Sequence, residues 1–172
     1  MTAGLTKWVR FDWPLKGRDF EISVADEYRL RAARPDDLEA MQRVVATSYA
    51  SDAVWAGKTD AIEQGIGARI RERISDPAAH FVLAECGGQV IGLNGVAISS
   101  PTKMNFLTGI CVDPEHQGRG LGTALLGQAL AWLRDQGLAS ATVTTDADAV
   151  AARVYDRFGG ERTGNVEYPG AL

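Results

Sequence analysis

An apolar strand that runs directly into a glycine-dense turn and then a helix constrains this chain more than any other stretch. Ile110-Cys-Val-Asp-Pro-Glu-His-Gln-Gly-Arg-Gly-Leu-Gly-Thr123 has that form. Main-chain N–H groups in a first helical turn lack intrahelical acceptors and sit at the positive end of the helix dipole, so they attract an anion. Gly118, Gly120 and Gly122 would let a phosphate approach the backbone closely. A dinucleotide-binding fingerprint would need a third glycine where Thr123 stands, and it expects an early βαβ unit rather than a preceding run of antiparallel-looking strands. The Gly-x-x-x-x-Gly-Lys-Ser/Thr pattern of a P-loop does not occur. A turn that merely closes against a sheet remains open from this stretch alone.

The periodicities around the loop give a mixed layout. Tyr28 to Ala33 alternates as a strand, and Pro35, Asp36 and Asp37 mark a helix start whose apolar face runs through Leu38, Met41, Val45 and Tyr49. Ile62, Ile66, Ile70 and Ile74 recur every fourth residue and predict a second helix, weakened by Gly65 and Gly67. His80 to Cys86 and Gln89 to Ile98 read as two strands joined tightly at Gly87-Gly88. Asn105 to Val112 is a third core strand. A helix then runs from about Gly120 to Gln136, a strand from Ala141 to Thr145, a helix from Ala149 to Phe158 and a last strand from Glu161 to Val166. The order predicts an α/β (α+β) fold with a mixed, mostly antiparallel central sheet flanked by helices.

A second motif, Asp148-Ala-Val-Ala151-Ala-Arg-Val-Tyr155-Asp-Arg-Phe-Gly159, follows the loop in the last helix. Together, Gln117-x-x-Gly120-x-Gly122 and Ala151, Val154, Tyr155 and Gly159 resemble the two signature segments of the GNAT N-acetyltransferase superfamily, over roughly residues 28–168. Asp148 stands where that pattern has Asn, and Gly160 where it has Phe. Asp148 remains a good N-cap, although its charge is unwelcome beside a polyphosphate.

The resemblance implies a GNAT acyl-CoA N-acyltransferase fold in residues 28–172, with a strand splayed at the cofactor site. Acetyl-CoA (coenzyme A) would be the donor. Free backbone groups of Ile110, Cys111 and Val112 would hold its pantetheine arm, and N–H groups of Gln117, Gly118, Arg119, Gly120, Leu121, Gly122 and Thr123 its pyrophosphate, with Asp148 a further cofactor neighbour. Primary-amine attack would pass through a tetrahedral intermediate stabilised by an N–H near Ile110 or Cys111. Tyr155 would protonate the departing thiolate; packing of its ring on the sheet is the competing reading. The strand before the loop carries no carboxylate, so Glu85 is the leading candidate base, with His80 and His116 behind it. Cys111 reads as a buried core residue rather than a nucleophile. Asp52 and Trp55, with Asp60 and Glu63 nearby, would face a cationic acceptor, or else form a solvated helix connection.

Relatives of this type end in two strands, whereas about a dozen residues after Gly160 suffice for one. Residues 1–27 form an extension in which Lys7 to Trp13 and Arg18 to Val24 suit a hairpin; residues 5–24 are expected to complete the sheet or the acceptor site, within one subunit or by exchange in a homodimer. A net charge of −4 gives no basic footprint for nucleic acid. No apolar run is long enough for a membrane span, no signal-peptide pattern is present, and two cysteines make no disulfide framework, so a cytoplasmic enzyme is expected. The resemblance implies no metal and a primary-amine acceptor, a small amine or amino-acid-like metabolite first and a peptide or protein amine next. A non-catalytic acyl-CoA sensor is the second reading, and a dinucleotide-dependent oxidoreductase the third.

Overall fold

In the computed structural model, residues 7–100 and 104–167 are described, and every structural statement refers to these. The elements are β1 (Lys7–Pro14), β2 (Tyr28–Ala32), α1 (Leu38–Ser51), α2 (Thr59–Arg73), β3 (Ala79–Cys86), β4 (Gln89–Ala97), β5 (Phe106–Val112), α3 (Leu121–Asp135), β6 (Ser140–Asp146), α4 (Val150–Tyr155) and β7 (Glu161–Glu167). They form two sheets, β2-β3-β4-β5 and β6-β1-β7, and all the strand pairs are antiparallel.

The helices follow the apolar patterns that predict them. Pro35–Asp37 is a single tight turn that launches α1, and α1 buries Met41, Val44 and Val45. Ile62, Ile66 and Ile70 of α2 join them in a cluster against Phe81, Leu83 and Leu93 of the larger sheet. Gly67 of α2 faces the Gln42 side chain of α1, where a Cβ would make an ordinary contact at 3.5 Å. On the other side, α3 sends Leu126, Ala129, Leu130 and Leu133 into a second cluster with Val9, Phe11, Trp13 and Tyr155.

β1 completes the smaller sheet, as one of the two expectations for the N-terminal segment had it. It lies between β6 and β7 and pairs with both: Phe11 faces Val143 on one side and Arg162 on the other. The N-terminal segment of the same chain thus supplies the centre of the smaller sheet. The expected partner for β1 does not form, because residues 18–24 carry no strand. That stretch instead wraps α3. Phe20 is buried with its carbonyl against Gly127, where any Cβ would collide with it, and Arg18 Nη1 donates to the Phe158 carbonyl at 2.9 Å. Residues 5 and 6 of the expected segment lie outside the described residues.

α4 is shorter than its pattern predicts. It stops at Tyr155, and Arg157–Gly159 forms a tight turn with Phe158 at φ 60°. The Trp13 indole N–H takes the Arg157 carbonyl at 3.0 Å, which fixes the chain in this turn.

Candidate acyl-transfer site

The two sheets touch at one end and part at the other. Asn105 N–H donates to the Thr142 carbonyl, and Thr142 N–H to Asn105 Oδ1, both at 3.0 Å. Past this point β5 and β6 share no ladder, and a cavity of about 530 Å³ opens between them. Phe106 to Ile110 line one wall, Val143 to Thr145 the other, and the start of α3 closes one end.

A bulge in β5 shapes the inner wall. Gly95 pairs with Gly109, but the next pair is Val96 with Phe106, so Leu107 and Thr108 are extra residues. The Gly95 N–H is satisfied by Thr108 Oγ1 at 2.9 Å, a side chain standing in for a displaced ladder carbonyl. Gly109 sits at φ +69°, and a Cβ there would lie 3.1 Å from Tyr49 Oη and 3.4 Å from Tyr155 Oη. Two tyrosine hydroxyls therefore converge on one glycine. Tyr49 donates to the Thr108 carbonyl at 2.7 Å, and Tyr155 accepts from the Ile110 N–H. Burial holds the Tyr155 hydroxyl well above the usual tyrosine range, the Ile110 N–H opposing it, so the group stays protonated at neutral pH.

The α3 end is built to receive an anion. Gly120 occupies the N-cap position at φ +80° with no side-chain cap, leaving the N–H groups of Leu121, Gly122 and Thr123 without intrahelical acceptors. Gly118 and Gly120 have open space where a Cβ would be. Gln117 Nε2 pins the loop by donating to the Val112 carbonyl at 3.0 Å.

The candidate residues divide between cavity and elsewhere. Tyr155, Ile110, Val112, Gln117, Gly118, Gly120, Leu121, Gly122, Thr123, Asp52 and Trp55 all line the cavity. Glu85 does not: it lies on β3, where Arg31 of β2 binds it at 2.8 Å together with Asp37. A carboxylate held in that ion triad, two strands from β5, has no route to the bulge. His80 is also elsewhere, stacked on Trp132 at 5.1 Å, where burial lowers its pKa. His116 reaches the cavity beside Gln117, its Nδ1 3.0 Å from Tyr28 Oη.

Cys111 alternates away from the cavity into the α1–α2 core, fully buried, and burial pushes its thiol up to about 12. The Arg119 side chain turns to Glu27 and Tyr28, leaving only its backbone in the loop. Asp148 is exposed and does not cap α4. Asp52 bonds there instead: its Oδ2 accepts the Val150 N–H at 2.9 Å and its Oδ1 the Val54 N–H at 3.0 Å. Asp60 and Glu63 are exposed on α2, away from the cavity.

Lining residues that no local signal named as site residues include Tyr49, Arg69 and Arg157, while Trp8 falls in the segment 5–24 expected to complete the sheet or the acceptor site. Tyr49 reads as a core residue of α1. Arg69 borders the α2 apolar stripe, three residues after Ile66, which was the available signal. Trp8 comes from β1, and no local pattern assigns it to a site formed by α1 and α2. It meets Trp55 at 6.1 Å, and Trp55 meets Tyr49 at 6.0 Å.

A family profile described as "Acetyltransferase (GNAT) family" matches residues 44–160. The chain belongs to the GNAT acetyltransferase family. It is 34% identical over 149 residues to a mycothiol acetyltransferase of Streptomyces avermitilis, covering 85% of this chain and 47% of that protein. It is likewise 34% identical over 137 residues to one of Cellulomonas flavigena, covering 74% and 38%. The chain thus spans less than half the length of these relatives. Among solved structures, a GCN5-related N-acetyltransferase from Ralstonia eutropha JMP134 superposes with a TM-score of 0.66 at 25% identity, covering 83% of this chain and 97% of that one. One from Sphaerobacter thermophilus gives 0.65 at 17% identity, covering 91% and 48%, and shows the same fold. GNAT proteins take an acyl-CoA donor, and the uncapped α3 start and the open β5 edge suit its diphosphate and extended arm. No helix among the described residues is long and apolar enough to cross a membrane.

Proposed function

We propose that the chain is an acetyl-CoA-dependent N-acetyltransferase acting on a small primary amine by direct attack. The observation that carries this is the convergence at Gly109: a left-handed bulge, an N–H at Ile110 and a protonated Tyr155 hydroxyl meet where the two sheets part. The donor supplies an activated acetyl thioester. The α3 N-terminus and the Gln117–Thr123 backbone bind its diphosphate, and the arm lies along the outer edge of β5. There, contrary to expectation, the Val112 N–H is taken by Ser48 Oγ at 3.3 Å and its carbonyl by Gln117, so the arm displaces these bonds or packs against them. The Ile110 N–H that holds Tyr155 Oη is the main-chain donor at hand for negative charge developing on the carbonyl oxygen. Tyr155 gives its proton to the leaving sulfur, and the protons shed by the attacking nitrogen pass to water, from which Tyr155 is reprotonated.

The acceptor enters from the side of α1 and α2. Asp52 is the one carboxylate lining the cavity among the described residues, and with Trp55 it draws in the cationic form of the amine. Thiol release from acetyl-CoA, measured against a panel of primary amines, tests the proposal. Amine-dependent release supports it. Tight acetyl-CoA binding with no release on any amine overturns it in favour of a sensor.

A further inference from the structure

The acceptor end of the cavity holds an arginine that the proposed reaction does not use. Arg69 of α2 lines the space beside the β5 bulge, and its one hydrogen bond runs from Nη1 to the Leu107 carbonyl at a long 3.5 Å. It forms no ion pair among the described residues. This distinguishes it from Arg31, Arg73, Arg119 and Arg134, each of which meets a carboxylate. A guanidinium presents several donors in a fixed fork that matches a carboxylate, and this exposed one, at the cavity wall, uses a single donor on a protein acceptor among the described residues.

The surroundings define the rest of the ligand. Trp8, Trp55, Ile62, Ile66 and Leu107 form an apolar and aromatic wall next to Arg69. The guanidinium touches Leu107, and the proposed attack point, Gly109, lies two residues along the strand, at most roughly 7 Å of backbone away. An α-amino acid carries its nitrogen and its carboxyl carbon on one Cα, about 2.5 Å apart, so its carboxylate can meet Arg69 while its nitrogen points along the strand toward Gly109. Arg157, the other lining arginine, stands on the opposite wall just past Tyr155, where Val154 meets Gly122 at the start of α3. It belongs to the donor side.

We infer that the acceptor is a free α-amino acid with an apolar or aromatic side chain, its carboxylate held by Arg69 and its side chain seated against Trp8 and Trp55. This rests on the acetyltransferase reading and narrows its acceptor. Asp52 attracts the ammonium as the ligand enters, the ammonium gives its proton to solvent water, and Arg69 orients the free amine for transfer.

The test compares phenylalanine and leucine with their carboxamides as acceptors, using wild type, Arg69→Gln and Trp8→Ala. Arg69→Gln should reduce the acid-to-amide ratio of kcat/KM by about tenfold or more, the value of a charge-assisted hydrogen-bonded pair, with the KM for acetyl-CoA unchanged. Using the change in ratio removes differences in amine basicity between the two acceptors. Trp8→Ala should raise KM for both forms of phenylalanine and leave the ratio intact. A ratio unaltered in Arg69→Gln, or a wild type that turns over other amines but neither amino acid, overturns this inference and leaves the acetyltransferase reading standing. No thiol release with any amine overturns both.

Discussion

Trp13 and Gly160 share one volume. A Cβ on Gly160 would lie 2.6 Å from the Trp13 indole nitrogen and 2.5 Å from the Tyr155 carbonyl, so neither backbone nor ring leaves room for a side chain. The family pattern has Phe at this position, and here the N-terminal strand brings its own large aromatic to the place. Gly160→Phe should therefore destabilise by about 1–3 kcal/mol through overpacking, read as a lower Tm. Trp13→Ala should cost about 3–5 kcal/mol, since the ring is wholly buried against Phe106 and Tyr155. Removing residues 1–25 deletes the centre of the smaller sheet, and the product should fail to give a cooperative melting transition.

Tyr155→Phe should lower kcat by about 10²-fold while leaving the KM for acetyl-CoA within a small factor. The ring contacts with Phe11, Trp13 and Phe106 survive the change, so Tm should move little. Steady-state kinetics over the amine panel decide this, and an unchanged kcat removes Tyr155 from the chemistry.

Glu85→Gln should retain turnover, because the carboxylate belongs to the Arg31 triad and not to the cavity. The triad has its own signature in pH. The hydrogen bonds from Arg31 hold Asp37 down at about 2, against burial acting the other way. A carboxyl with a depressed native pKa stabilises the fold above its unfolded pKa near 4, and that contribution fades as pH falls from about 4 to 2. Urea unfolding across this range should show a loss of about 2 kcal/mol that is absent in Asp37→Asn.

Cys111 should resist alkylation at pH 8, its thiol being buried and displaced to about 12, while the partly exposed Cys86 reacts first. Cys111→Ala should preserve most of the activity. Mass spectrometry of the labelled protein and an assay of the variant check the two halves.

The glycine loop and the helix that carries Tyr155 were legible in the sequence, because their information is local. Gln117 to Thr123 specify a turn and a helix start by glycine placement alone, and Tyr155 lies on a helix whose pattern is contiguous. Glu85 misled for the opposite reason. Its strand was read correctly, but strand order decides whether a residue faces the bulge or Arg31, and no spacing along the chain encodes which neighbour β3 takes. The same holds for Asp52, whose capping of α4 spans two distant segments, and for Arg69, whose lack of an ion pair among the described residues is a property of the assembled wall. β1 could be recognised as strand-like, yet nothing in Lys7–Pro14 names β6 and β7 as its partners.

That position of β1 bears on how the protein reaches its native state. Trp8 pairs with Asp146 on one side and Val166 on the other, so β1 waits for two partners synthesised long after it. Contacts between segments so far apart raise contact order and slow the closing step. Until then Phe11, Trp13 and Leu15 are apolar surface without a sheet, the kind of exposed strand on which nascent chains aggregate and chaperones act.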